Sequence, residues 1–459
     1  MRRLALVAAL LAGCTTVGPD YERPAVPMPA AYPAAGGAGE APIPEWWTLF
    51  RDPLLDHLVE ATRHNNTDLR FAAARVLQAE AVLRETSAAR YPEVDAGYAG
   101  ARSRVSTRTE PPPVAPLERT QHQLIASTSY EIDFWGRVAR ANEAARASLA
   151  ASRLSREVVA LTLSSATAQA YFALRSLDAQ VVALDGSVRT GADSLEIAQA
   201  RLAAGLAPEL DVHQARAALS DLRVQLIEAR RQRALVEHQL GVLTGRMDLR
   251  IAPGDLFAMP LPPTPPPGLP AALLDRRPDI RAAEQTLVAA NAQIGVARAA
   301  LFPTISLTGA LGAQSTELST LLSTGAGIWA VGASLTLPIF DAGRRSARVE
   351  QAEAVREQAL AQYVGSIESA FRETADALVN LDLAAQAEAD IGQRLEAARA
   401  ALELSGERYK SGYSPYLEVL DAQRTANDAE LAFVRYRQLR LAFSVDLMKA
   451  LGGGWQAIN

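Results

Sequence analysis

Two stretches of this chain, Arg201-Leu202-Ala203-Ala204-Gly205-Leu206-Ala207-Pro208-Glu209-Leu210-Asp211 and Arg408-Tyr409-Lys410-Ser411-Gly412-Tyr413-Ser414-Pro415-Tyr416-Leu417-Glu418, lie 207 residues apart and share Arg, Gly, Pro, Leu and an acid at matching places. Each reads as the end of a helix, a tight turn and the start of another helix. Gly supplies a left-handed helix cap, and Pro fits the start of the next helix. A turn repeated at a fixed offset marks a duplicated unit, so the fold has to be built from two copies of it.

A second pair of landmarks agrees. Asp68 to Pro92 and Asp279 to Pro303 each bracket a helical pattern, at an offset of 211. The change from 211 to 207 places a length difference between that Pro and the turn, where the sequence alternates with period two. Leu124, Ala126, Thr128, Tyr130 and Ile132 share one face, opposite Gln123, Ser127, Ser129, Glu131 and Asp133, with Ile125 an exception. In the second half Ile305, Leu307 and Leu311 alternate with Ser306 and Thr308. Trp329, Val331, Ala333, Leu335 and Leu337 alternate with Gly332, Ser334 and Thr336. Strands of this kind face two different solvents, and about ten residues cross a bilayer when tilted. A soluble two-hairpin sheet covered on one face is the competing reading. The connecting loops, 107–120 and 315–326, account for the difference in length.

Gly136-Arg137 and Gly343-Arg344 then open stretches that contain no Pro until Pro208 and Pro415. Roughly 65 helical residues rise about 100 Å, which demands helix-on-helix packing along the whole length. Gly186, Gly191 and Gly392 are expected to mark local breaks in these helices. Trp46, Trp47 and Phe50, just ahead of Asp52-Pro53, read as a core cap before a helix start. The Pro-dense segment between the halves cannot be helical and crosses outside the main body.

At the N-terminus, Arg2-Arg3, an apolar core from Leu4 to Leu11 and then Ala12-Gly13-Cys14 form a secretory leader. The run Leu11-Ala12-Gly13-Cys14 looks like a bacterial lipoprotein processing site, with Cys14 as the acylated first residue. Thr15 after it favours sorting to the outer membrane. The chain therefore divides into a leader (1–13), a lipidated extended tether (14–52), a first repeat (53–250), a crossing segment (251–275), a second repeat (276–451) and a loose tail (452–459). The hairpins fall at about 93–133 and 304–338, and the tip turns at about 204–208 and 411–415.

Composition excludes several functions. The net charge is −5 with 21% charged residues, so there is no nucleic-acid footprint. Cys14 is the only cysteine, which rules out an intramolecular disulfide and a Cys-based metal site. His57, His64, His122, His213 and His238 are scattered without a partnered nucleophile, and Gly325-Ala326-Gly327 lacks a strand-to-helix context. The chain reads as no enzyme, and no cofactor is expected beyond the covalent lipid. No apolar run is long enough for a membrane-spanning helix.

Four strands per chain leave two open edges, which lipid does not tolerate. Two chains would close eight strands into a barrel filled by its own side chains; three or more leave a lumen. The expected fold is mixed, mainly α: a long helical barrel plus a membrane β-barrel, two repeats per chain, with twelve strands in a trimer.

On these residues the chain resembles the TolC-like family of outer-membrane efflux ducts, in the lipoprotein branch that serves RND-type pumps. The motifs are Leu11-Ala12-Gly13-Cys14, Trp46-Trp47 with Asp52-Pro53, Tyr130-Glu131-Ile132-Asp133-Phe134-Trp135-Gly136-Arg137, Arg276-Arg277-Pro278-Asp279-Ile280, Pro338-Ile339-Phe340-Asp341-Ala342-Gly343-Arg344 and Tyr416-Leu417-Glu418-Val419-Leu420-Asp421-Ala422-Gln423-Arg424. Together they span Cys14 to about Leu451. The resemblance implies a homotrimer in the outer membrane, an inner-membrane RND-type pump and a periplasmic adaptor.

Leu417 and Asp421, four apart on one helix face, would make an apolar constriction and an acidic ring around a symmetry axis. By resemblance they match the aperture residues, and Asp211 and Glu418 match acids of the neighbouring tip network. The bland alternative is a solvated helix face with acids favouring the helix dipole. Gly205-Leu206 and Gly412-Tyr413 would dock the adaptor's helical hairpins, alongside their role as helix caps. Ser414 stands where some relatives carry a basic residue that ties the tips together, so that lock is missing. The competing functions are the duct of an ABC-type secretion system and a non-conducting, envelope-spanning coiled-coil lipoprotein.

Overall fold

The computed structural model describes residues 16–32, 44–106, 108, 117–264 and 270–454. Each half of the chain runs helix, strand, strand, very long helix, helix, preceded in the first half by a further helix and in the second by the four-residue helix Leu273–Arg276. In the first half these are α1 (Pro53–Asn65), α2 (Thr67–Ala88), β1 (Glu93–Arg104), β2 (Glu118–Ile132), α3 (Arg137–Ala203) and α4 (Glu209–Thr244). In the second they are α5 (Pro278–Ala299), β3 (Thr304–Ser315), β4 (Gly327–Thr336), α6 (Arg344–Lys410) and α7 (Tyr416–Ala450). The chain is mainly helical with one small sheet, and no helix among the described residues is long and apolar enough to cross a membrane.

Two compact units draw on both halves. The first comprises the described residues within Met1–Ala25, Arg75–Ser152 and Ala283–Tyr363. Its sheet is antiparallel throughout in the order β1-β2-β3-β4, so each hairpin is also zipped to the other. The register decides what the alternation means. Tyr98 opposes Leu124, which opposes Ala313; Ala126 opposes Leu311, which opposes Trp329; Tyr130 opposes Leu307, which opposes Ala333. Every apolar stripe thus falls on one face, and that face is bare: Trp329 is 77% and Val331 81% exposed. Ser127, Ser306 and Ser334 fall on the other face.

The foot of this sheet is tied to the helices that follow. Asp133 accepts from the backbone N–H groups of Val138 and Ala139 at 2.9 and 2.7 Å, which starts α3. Trp135 stacks on Phe302 at 4.6 Å and donates to the Pro303 carbonyl at 2.7 Å. The segment after residue 15 is strapped down beside it. Arg23 grips Glu284 through two bonds of 2.6 and 2.8 Å, and Arg140 holds Asp20 at 2.6 Å.

The second unit comprises the described residues within Val26–Ala74, Arg153–Ala282 and Val364–Asn459. Trp46, Trp47 and Phe50 sit in its main core with Phe172, Leu240 and Leu441. Asp52 caps α1 by accepting from the Leu54 and Leu55 N–H groups, and its second oxygen accepts from the Tyr171 hydroxyl. Buried Asp178 takes both Arg175 and Arg233, whose remaining donors reach the Ala252 and Ile251 carbonyls. The crossing segment, expected outside the main body, is thereby clamped onto α3 and α4, and its Ile251, Leu256 and Met259 are buried in the core, which corrects that expectation.

A second expectation is corrected. α3 passes through Gly186 and Gly191, and α6 through Gly392, without a break. A helical Gly costs only about 1 kcal/mol relative to Ala, which packing over 67 residues outweighs. Gly191 is small for a contact reason: a Cβ there would lie 3.2 Å from Leu222.

Candidate tip aperture

Both tip turns end their helices in the same way. The N–H of Leu206 bonds the Arg201 carbonyl and that of Gly205 bonds Leu202; Tyr413 bonds Arg408 and Gly412 bonds Tyr409. This is the two-bond Schellman cap, and it needs a left-handed residue, supplied by Gly205 at φ +71° and Gly412 at φ +80°. Pro208 and Pro415 then stand at the N-caps of α4 and α7.

The next turn of α7 sorts its residues by face. Tyr416, Val419 and Leu420 enter an apolar cluster with Tyr409, Ala198, Val212 and Ala215. Leu417 is left 60% exposed, with Glu418 and Asp421 also exposed. Leu417 and Asp421 lie one turn apart on the open side. Glu418 pairs loosely with Arg408 at 3.6 Å.

Asp211 is the acid that the structure draws inward. The Tyr409 hydroxyl donates to its Oδ2 at 3.2 Å, which joins the two tips. Burial, reinforced by the Asp211 charge, pushes the Tyr409 phenol up to about 12. Arg201 completes the junction. Its Nη1 donates to the Tyr409 carbonyl at 2.9 Å and to the Lys410 carbonyl at 3.1 Å, the last carbonyls of α6. Its guanidinium also lies over the Tyr409 ring, 4.8 Å from the centroid. Tyr409 and Tyr416 meet edge to face at 5.4 Å.

Arg201 is the residue that sequence reasoning passed over. It occupies the same place in its turn as Arg408, yet Arg408 serves its own tip while Arg201 serves the other. The repeated Arg was a signal for position but not for partner. Ser414 is buried, and among the described residues its hydroxyl has no hydrogen-bond partner. Further from the turns, Gln423 bonds Ser194 at 2.7 Å, and Asn427 bonds Ser187 and Gln225, each at 3.2 Å.

The turns themselves are open. Leu206 is 67% and Tyr413 80% exposed, and a Cβ at Gly205 would meet nothing within 4 Å. Cys14 lies outside the described residues. Chemically the tip offers carboxylates, two guanidinium groups and apolar side chains around a turn.

The sequence profile of the outer membrane efflux proteins matches residues 58–246 and 269–453. The solvent efflux pump outer membrane protein SrpC of Pseudomonas putida is 35% identical over 460 residues, covering 97% of this chain and 96% of that one. The probable outer membrane lipoprotein SilC of Salmonella typhimurium is 31% identical, covering 97% of each. Among solved structures, the outer-membrane channel OprN superposes with a TM-score of 0.88 at 30% identity, covering 96% of this chain and 100% of the channel.

Proposed function

This chain belongs to the outer membrane efflux protein family, and from that premise we propose that it is the passive outer-membrane duct of a tripartite efflux system. The observation that carries the reading is the sheet, with one face apolar and exposed across four strands, the other polar, and both edges unpaired among the described residues. Lipid is the solvent such a face requires, and lipid demands that the edges close. Three copies give twelve strands around a lumen, where two would give a filled barrel of eight.

The three-fold axis that closes the barrel also collects three copies of the tip. Leu417 then forms an apolar constriction and Asp421 an acidic ring, with Glu418 and Asp211 in the flanking network. Gly205-Leu206 and Gly412-Tyr413 present backbone and apolar side chains to the helical hairpins of a periplasmic adaptor, and an inner-membrane RND-type pump feeds the assembly. An acyl chain on Cys14 adds a second hold on the outer membrane. The cargo is small toxic molecules, in line with a relative named for solvent efflux; the pump, not the duct, selects among them.

Planar-bilayer recording tests this reading. The wild-type protein is expected to form low-conductance, cation-preferring channels, and Asp421→Ala to raise the conductance and weaken the preference. No channels at all would remove the duct. Unchanged conductance and selectivity in the variant would remove the ring.

A further inference from the structure

The β1–β2 hairpin carries fixed charge where its apolar face ends. Val94, Ala96 and Tyr98 oppose Thr128, Ala126 and Leu124 on that face. Towards the hairpin loop, the same alternation brings Gly100 and His122, then Arg102, and then Arg104 opposite Glu118. Tyr98 leans in this direction. Its hydroxyl lies 2.7 Å from His122 Nδ1, and it spans Gly100, where a Cβ would meet the phenol oxygen at 3.1 Å. An apolar belt, then an amphipathic ring, then charge is the order of solvents met on leaving hydrocarbon for headgroups.

The two guanidinium groups outnumber their acid. Glu118 takes Arg102 at 2.7 Å and Arg104 only at 3.9 Å. The arginine side chains remain 74% and 72% exposed. At the Leu124 and His122 levels the adjoining strand presents only Ala313 and Ser315; that strand ends at Ser315, and Glu317 in the loop beyond it accepts from the Ser319 hydroxyl. Among the described residues of this hairpin face, two guanidinium groups stand against one carboxylate. A guanidinium presents a rigid fork of donors that matches phosphate in two-point contact.

We infer that Arg102 and Arg104 form a binding site for the phosphate groups of an anionic glycolipid headgroup in the outer leaflet. The site rests on the reading of the sheet as a lipid-facing wall. Glu118 holds Arg102 in place and limits the site's net charge, so its removal strengthens binding. Each chain of a closed barrel contributes one such site, beside the β1 edge.

The test uses the full-length protein in phosphatidylcholine proteoliposomes doped with either bisphosphorylated or enzymatically dephosphorylated lipid A. Lipid retained through purification is quantified by mass spectrometry, and channel activity is recorded in parallel. Wild type is expected to retain the phosphorylated form, and Arg102→Gln/Arg104→Gln at least about tenfold less, because two charge-assisted contacts are lost. Arg102→Lys/Arg104→Lys, which keeps charge and loses the forks, should fall between them, and Glu118→Gln should retain more than wild type. Unaltered conductance in every variant shows that the wall is intact and localises the effect to the site. Equal retention by wild type and the double Gln variant overturns the proposal, as does equal retention of dephosphorylated lipid. Full displacement by millimolar inorganic phosphate also overturns it, since that marks a simple anion site. Absence of wild-type channels removes the duct reading and the site with it.

Discussion

Tyr409 is held from three directions: its hydroxyl by Asp211, its ring by the Arg201 cation and its carbonyl by Arg201 Nη1. If the resting tip is closed by this junction, Tyr409→Phe loses one hydrogen bond, about 1 kcal/mol, and should raise the open fraction in single-channel records. Arg201→Gln should do more, because it uncaps two carbonyls and removes the cation from the ring. A smaller effect from Arg201→Gln than from Tyr409→Phe would shift the lock away from the guanidinium. The phenol also fixes a pH window. Its pKa in the fold, about 12, lies above the ordinary 10, so its contribution is complete below pH 10 and fades as pH rises toward 12. Conductance is expected to stay level from pH 7 to 10 and to climb above that. A rise already complete by pH 9 would point to a different group.

Among the elements, the long helices make the clearest statement about their glycines. Gly186 sits in unbroken α3, and a Cβ there would meet nothing within 4 Å, so Gly186→Ala should raise thermal stability by about 0.5–1 kcal/mol. Gly191→Ala should gain less, since Leu222 must give way by a few tenths of an ångström. Equal gains at both positions would show that the Leu222 contact is soft. The tip glycines obey the opposite rule. Gly412 at φ +80° tolerates a side chain only at a cost of about 1–2 kcal/mol. Gly412→Asp should therefore weaken adaptor cross-linking and drug export while leaving the sheet's heat-modifiable migration unchanged. Intact export would separate the turn from docking.

At the scale of the whole molecule, the proposed assembly follows from the sheet. Two edges unpaired among the described residues and a bare apolar face are unstable in a lone chain, and closure by symmetry would satisfy both at once. Native mass spectrometry in detergent is expected to show three chains; a monomer or dimer that still conducts would require another route to closure. In the trimer proposed above, the Leu417 and Asp421 side chains, exposed in one chain, would share one environment around the symmetry axis. The proposed role of Leu417 and Asp421 would depend on partners of identical sequence, whereas Asp211 already has Tyr409 as a partner within the chain.

Much of this was legible in the sequence because it depends on local rules. Period two in Leu124–Ile132 and Trp329–Leu335 marked strands with a dry face, since alternate side chains must point to opposite sides whatever the strand pairs with. Absence of Pro from 137 to 207 and from 344 to 414 marked two long helices, and Gly205 and Gly412 marked their capped ends, since a left-handed residue closes a helix at little cost only as glycine. Where a local rule competed with packing, it failed, and Gly186, Gly191 and Gly392 did not break their helices. Partner choice was decided only by the tertiary structure. The zipping of β2 to β3 and the reach of Arg201 across to Tyr409 join residues some two hundred positions apart. The two repeats present nearly the same turn to each other, so sequence alone could name the residues of the tip but not which of them would meet.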